Sequence, residues 1–419
     1  VKALVVGPGR IGCGFAGEVL RSAGYELVVV ARDPAMAAHL NRVGRYHVRM
    51  GHGGLARETA VDGVRAVPAS STEAVAREVA TCDLAAVAVG ARNLPAVADL
   101  IAPGLAARDR PVNVLVFENE PDAGGRLRAL MAERVRPPAS VERHGYAGVV
   151  VTRAMTGRLG SPASDRPLTF VGDFASRFAV ERRGLRADLR PLPGMTVTDD
   201  FEASMHRKLF VFSAGHAATA YLGHLKGYRF VHTAIRDPEI RAVVHAAMRE
   251  GQRGLAARYG TDAAGDRVEL EAIVARFENA SLADPVCRVA RDPSRKLAAT
   301  DRLVGAARLA EAAGVRAHSL AFVIAAALSF HAEGDPSAEQ VESAMRRGSV
   351  LGTLIRLSGL DPLEPLGHRV GFAWSRIARS RYHENFLLSL RNGSWAWEPA
   401  PEATAPVARP ADTRLETPA

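Results

Sequence analysis

Cysteine is scarce in this 419-residue chain. Cys13, Cys82 and Cys287 lie far apart and form no C-x-x-C pair, so neither a disulfide framework nor a cysteine-based zinc site is expected. No apolar run approaches the ~20 residues that a membrane span needs. The chain opens directly into strand-like KALVVG rather than a leader with a charged and then an apolar region, and a cytoplasmic protein is expected. Lysine is rarer than it first looks: 54 residues are basic, but Lys2, Lys208, Lys226 and Lys296 are the only lysines. Arginine stays protonated in proteins while a buried lysine can be tuned toward neutral pH, so a lysine kept against such a bias is retained either by chance or where guanidinium chemistry fails. Lys208 and Lys296 draw attention first.

What is present is ordinary for a soluble globular protein: 47% hydrophobic and 24% charged residues. At ~150 residues per domain the length predicts two or three domains. A net charge of +9 raises nucleic acid as a partner. The arginines are scattered, however, and no aromatic-basic motif accompanies them, so anionic small molecules are favoured over nucleic acid or membrane.

The first ~190 residues alternate strand-like and helix-like segments, as in an α/β sheet. Strands are predicted at 2–6, 26–31, 84–89 and 113–117, and helices at 11–23, 73–80, 94–107 and 123–134. Residues 46–70 read as an irregular or hairpin excursion and 145–181 as a further β-rich stretch, interrupted by the Gly/Ser/Pro segment 157–167. Pro191-Leu192-Pro193-Gly194 marks a boundary. From about 199 the pattern becomes helical: 200–223, 237–259, 265–278, 302–313, 318–332 and 337–346. The expected organisation is α/β overall, with a Rossmann-type NAD(P)-binding domain over 1–195 and an all-helical substrate and catalytic domain over 196–385. A Pro- and Ala-rich tail over 386–419 is too poor in large aliphatics to fold alone.

The first strand runs into Gly7-Pro8-Gly9-Arg10-Ile11-Gly12, a G-x-G-x-x-G between strand and helix. Gly7 permits the tight turn, Gly9 admits a pyrophosphate close to backbone, Gly12 packs helix on strand, and the helix N-terminus faces the phosphates. At the end of the second strand, where the ribose-binding acid of such loops sits, the chain reads Ala31-Arg32-Asp33. Arg32 suits a 2′-phosphate and favours NADP, while Asp33 one residue later fits NAD. NADP is preferred, with NAD open.

In the second half, Lys208 is followed by Ser213 five positions on and His216 three beyond that. Together with Pro193-Gly194-Met195, Thr219-Ala220-Tyr221-Leu222-Gly223, Arg276-Phe277-Glu278-Asn279, Arg295-Lys296-Leu297 and Asp301-Arg302-Leu303, this segment resembles the polyol-specific long-chain dehydrogenases, the mannitol dehydrogenase family. The resemblance spans roughly residues 2–385 and is tightest in the helical half. It implies a metal-independent oxidoreductase that interconverts a secondary alcohol and a ketone on a polyol or sugar phosphate, acting as monomer or homodimer. Lys208 would be the general acid/base, its pKa lowered by burial or neighbouring cations. A straight helix puts His216 ~12 Å along the axis from Lys208, so it grips another substrate hydroxyl unless the helix deforms near Gly215.

The family carries asparagine at position 213. Serine is shorter and offers a single hydroxyl donor to the reacting oxygen. A partner asparagine corresponds to Asn119, in Phe117-Glu118-Asn119-Glu120 at a strand end, although Glu120 and Pro121 follow where the family has apolar residues. Arg295, Lys296 and Arg302 gather cations as a sugar phosphate would require. His318, also a family position, falls at a predicted helix start, for capping or substrate contact. Two alternatives remain. The N-terminal strand and glycine loop also resemble ketopantoate reductases, and replacement of asparagine by Ser213 is compatible with a nucleotide-binding sensor without turnover.

Overall fold

The computed structural model describes residues 1–137, 139–161, 166–361 and 363–381. The expected tail over 386–419 lies outside the described residues.

The apolar runs of the first half become the middle of an eight-stranded sheet, ordered β12-β11-β8-β7-β6-β1-β2-β5. Its strands are β1 (Lys2–Val6), β2 (Glu26–Ala31), β5 (Val64–Pro68), β6 (Leu84–Val87), β7 (Asn113–Val116), β8 (Gly145–Val151), β11 (Phe178–Glu181) and β12 (Met195–Thr198). Neighbours run parallel except β8 and β11. Val5, Val29 and Ala86 face one apolar layer and Leu4, Val28 and Ala85 the other, so both sides are covered, as near-continuous aliphatic strands require. Chain order reverses between β2-β1 and β6, and a crevice opens there beyond the carboxyl ends of the strands.

The excursion after β2 contains a hairpin together with further elements. Helix Pro34–Val43 precedes it. β3 (Arg45–His52) and β4 (Leu55–Asp62) then form an antiparallel pair, and β5 returns to the main sheet beside β2. β3 also pairs with β10 (Thr169–Gly172), which pairs with β9 (Met155–Leu159), giving a second, four-stranded sheet. The main sheet extends one strand past the Pro191–Gly194 turn, because β12 pairs with β11 from Met195 onward.

Helices follow from Phe201 to Arg381, around a core that includes Tyr221, Val244, Leu255, Leu303, Ile324 and Phe330. Three links fasten this part to the small sheet and its flank. Arg276 Nε donates to Asp173 at 2.8 Å and its Nη2 to the Thr152 carbonyl at 2.5 Å. Asn279 Nδ2 donates to the Gly51 carbonyl at 2.6 Å, and Thr156 Oγ1 to the Leu282 carbonyl at 3.0 Å.

Candidate active site

The glycine loop has the backbone that its sequence requires. Gly7 sits at φ +103°, and a Cβ there would collide with the Ala88 carbonyl oxygen. A Cβ on Gly12 would strike the Gly7 carbonyl, whereas one on Gly9 would meet nothing within 4 Å. Gly7 and Gly12 are thus closed against protein, and Gly9 is open to a ligand. The helix that follows starts as a π-helical turn, Gly12–Gly17, before the α-helix Glu18–Ser22; half-buried Ile11 precedes it and accepts from the Ala16 amide at 2.8 Å. A cavity of about 440 Å³ lies against this loop, lined by Gly7, Pro8, Gly9, Arg32, Val89 and Asn93 among others. Its lining and the open approach at Gly9 fit a dinucleotide.

At the ribose end the two candidates separate. Asp33 caps the helix Pro34–Val43, one carboxylate oxygen accepting from the Ala35 amide at 2.9 Å. Arg32 is exposed, lines the cavity, and has no hydrogen bond or ion pair among the described residues.

Lys208 stands where the α-helix Phe201–Arg207 gives way to a π-helical turn, Lys208–Ser213, and the α-helix Ala214–Leu225 resumes after it. The helix therefore deforms at the lysine itself, ahead of Gly215. Insertion of a π turn re-aims side chains relative to a regular helix, and such turns are frequent at functional sites. Burial, and secondly the Arg302 guanidinium, push the Lys208 ammonium down to about 8. Among the described residues no carboxylate pairs with it to oppose that shift. Lys208 also borders a cavity of about 330 Å³ between β8, β11, β12 and the helices, with Thr152, Phe178, Phe212 and Arg276. Ser213, buried at the other end of the π turn, makes no side-chain hydrogen bond among the described residues.

His216 is held from two sides. Its ring stacks on Phe277 at 5.1 Å, and Nε2 lies 3.2 Å from Asp284 Oδ2. Asp284 is buried and also receives Arg288 in a two-pronged contact, both distances 2.6 Å. Burial raises the Asp284 pKa, but the bonds from His216 and Arg288 outweigh it and hold the carboxyl below its ordinary range. Phe212 links the two halves of the site: it borders the Lys208 cavity and its ring lies 6.0 Å from that of His216.

The three expected substrate cations gather as one cluster. Arg295 meets Asp292 at 2.7 Å and Asp301 at 3.4 Å, while Arg302 Nε meets Asp301 at 2.7 Å. Buried Lys296 donates to the Arg291 carbonyl, and burial followed by Arg302 and Arg295 lowers its pKa strongly. Arg302 Nη2 is buried without a partner among the described residues. Because Arg302 acts electrostatically on both Lys208 and Lys296, the cluster and the candidate acid/base share one neighbourhood.

Asn119 is exposed just beyond the end of β7. Its buried neighbour Glu118 accepts from the Val89 and Gly90 amides at 2.8 and 2.9 Å, tying the β7 end to the β6 end beside the crevice. Glu118 and Asp284 escaped attention as site residues. For Asp284, an i, i+4 spacing to Arg288 was the available signal. His318 opens the helix His318–Leu328, but Glu250 is its cap, accepting from the Ser319 and Leu320 amides, both at 2.8 Å. Among the described residues no group of three or more His, Cys, Asp and Glu side chains is placed to hold a metal, and no helix is long and apolar enough to cross a membrane.

The matches of both halves of the chain to dehydrogenase domains, and its likeness to a curated dehydrogenase, make it an oxidoreductase acting on CH–OH groups. The chain belongs to the mannitol dehydrogenase family: residues 1–157 match the mannitol dehydrogenase Rossmann domain and residues 200–350 the mannitol dehydrogenase C-terminal domain. It is 33% identical to a mannitol-1-phosphate 5-dehydrogenase of Brevibacillus brevis over 371 residues, 87% of this chain and 95% of that protein. In fold it is similar to a Pseudomonas fluorescens mannitol 2-dehydrogenase in ternary complex with NAD and D-mannitol, with TM-score 0.72, 17% identity and 94% of each chain covered. A D-sorbitol dehydrogenase in substrate-free form gives TM-score 0.69 at 15% identity, covering 92% of this chain and 94% of the other. These matches do not favour the ketopantoate reductase alternative.

Proposed function

We propose that the protein interconverts a secondary alcohol and a ketone on a polyol or sugar phosphate, with NADP preferred over NAD and Lys208 as general acid/base. Mannitol 1-phosphate and fructose 6-phosphate are the first pair to test, on the strength of the 33% identical relative. The observation that carries the reading is Lys208 at the head of a π-helical turn with its ammonium drawn down to about 8. A base poised near the working pH is what proton transfer to and from a carbinol requires.

The nicotinamide, when bound, supplies the hydride acceptor for oxidation and the donor for reduction. Gly7, Gly9, Arg10, Ile11 and Gly12 form the loop that receives the dinucleotide, and Arg32 reads its 2′-phosphate while Asp33 is engaged at the helix cap. Neutral Lys208 Nζ takes the carbinol proton in oxidation and returns it in reduction. Ser213 and Asn119 are the donors toward the reacting oxygen. His216, its Nε2 side turned to Asp284, leaves Nδ1 for a further substrate hydroxyl. Arg302, with Nη2 uncommitted, grips substrate oxygens, and Arg295 and Lys296 complete the cation wall.

The test is consumption of NADPH and of NADH by the purified full chain with fructose 6-phosphate and then other ketose phosphates. Turnover supports the reading. Cofactor binding without turnover on any of these carbonyls contradicts it and supports the sensor instead.

A further inference from the structure

We infer that the side chain of Arg10, rising from the glycine loop, and Arg291, from the helical part, together recognise the phosphate monoester of the substrate. The inference rests on the polyol phosphate reading above and deepens it by giving the phosphate its own subsite.

Hydrogen bonds tie Arg10, through Thr156, to the segment that carries Asp284. Arg10 Nη1 donates to the Thr156 carbonyl at 3.0 Å, and the Thr156 hydroxyl donates to the Leu282 carbonyl at 3.0 Å. Leu282 is two residues from Asp284, which holds His216 on one side and Arg288 on the other. Arg10 is therefore not spent on the glycine loop that carries it; it reaches the main chain of β9, whose Thr156 side chain in turn bonds the segment that leads into Asp284.

The charge balance there is unequal. Arg10 faces Arg288, Arg291 and Asp284, and burial with repulsion from the two arginines lowers its pKa, outweighing the attraction of Asp284. Asp284 already serves His216 and Arg288 with both oxygens. Arg291 is exposed and has no hydrogen bond or ion pair for its guanidinium among the described residues, although its carbonyl accepts from Lys296. A cluster of guanidinium groups with one committed carboxylate lowers its energy by receiving a dianion, and arginine forks match phosphate oxygens in pairs.

The position suits an extended substrate. Arg302 lies near Lys208 and Lys296, Lys296 touches Arg291, and Arg288 is tied through Asp284 to His216. On this reading the phosphate of a polyol whose carbinol meets Lys208 and whose chain passes His216 is met by Arg291 and Arg10. Phosphate chemistry could reach the same arginines from the dinucleotide pyrophosphate, because Arg10 is next to Gly9. The experiment separates the two sources.

Arg10→Gln and Arg291→Gln are compared with the wild type for kcat/KM on mannitol 1-phosphate and on mannitol, and for KM of the cofactor with each substrate. Binding of mannitol 1-phosphate and mannitol to the cofactor-loaded protein is measured by calorimetry in parallel. In either variant the ratio of kcat/KM for mannitol 1-phosphate over mannitol should fall by about tenfold or more, with calorimetric affinity for the phosphate ester falling alike. Arg10→Lys should recover part of the ratio. A ratio within twofold of wild type in both variants overturns the inference while leaving the proposed function standing. A rise in cofactor KM that is equal with both substrates assigns Arg10 to the pyrophosphate and overturns it too. If the wild type takes another polyol phosphate in place of mannitol 1-phosphate, the same ratio is read with that ester and its unphosphorylated parent; failure to bind or turn over every polyol and ketose phosphate removes the polyol phosphate reading itself.

Discussion

His216 Nε2 lies 3.2 Å from Asp284 Oδ2, on a buried carboxylate that also clasps Arg288. An imidazole so held has one fixed orientation, with its ring face packed on Phe277. Asp284→Asn removes the charge that fixes it and leaves Arg288 without its counter-ion. Loss of a charge-assisted hydrogen bond of this kind costs about 1.5–3 kcal/mol, so kcat/KM for the polyol substrate should fall about 10- to 100-fold. Cofactor affinity, measured by fluorescence titration, should change far less. Unaltered kcat/KM would detach His216 from substrate binding.

Arg32 lines the dinucleotide cavity with no competing partner among the described residues, while Asp33 caps a helix. Arg32→Asp should therefore shift the ratio of kcat/KM with NADP over NAD toward NAD by about tenfold or more. Steady-state kinetics with both cofactors checks this. A constant ratio would show that Arg32 does not read a 2′-phosphate.

The glycine loop was legible because each glycine answers a separate steric demand, and the expected strands at 2–6 and 26–31 appear at those positions. The parallel sheet followed from aliphatic runs with no polar face, and the helical second half from its periodicity. The π turns were not legible: 11–23 and 200–223 read as uninterrupted helices, since i→i+5 and i→i+4 bonding draw on the same residues. The scarcity of lysine pointed to Lys208 and Lys296. Lys2 and Lys226 are ion-paired with Glu78 and Asp237 at 2.8 and 2.9 Å, so rarity alone does not distinguish a tuned amine from a paired one. Arg276 and Asn279 stood in a family motif, and their bonds to Asp173, Thr152 and Gly51 tie the two parts of the chain together. Such long-range pairings leave no local periodic trace.

Glu78, on the helix Thr72–Thr81, joins two strands of the main sheet. It accepts from Arg65 at 2.6 and 2.8 Å, on β5, and from Lys2 at 2.8 Å, on β1. The Arg65 bonds foremost, then Lys2, hold its carboxyl down at about 2 against an ordinary 4.5. A depressed carboxylate pKa stabilises the fold above the unfolded value, and that contribution is lost as pH falls through the folded one. Glu78→Gln should thus cost about 1–3 kcal/mol at neutral pH. The difference from wild type should shrink below pH 4.5 and vanish near pH 2. Urea unfolding of both proteins across that range checks it; a pH-independent difference would assign the loss to packing.

The central claim is that Lys208 exchanges the proton with the substrate, and its pH dependence tests this most directly. With the amine at about 8, the base needed for alcohol oxidation is the neutral form, and the acid needed for ketone reduction is the ammonium. For the wild type, kcat/KM for oxidation should rise tenfold per pH unit up to about 8 and then level, while that for reduction should be level below about 8 and fall above it. Lys208→Ala should lose at least about a thousandfold in both directions, with cofactor affinity nearly kept, and the residual rate should show neither inflection. A wild-type profile without an inflection near pH 8, or a Lys208→Ala protein with kcat retained, would contradict the account.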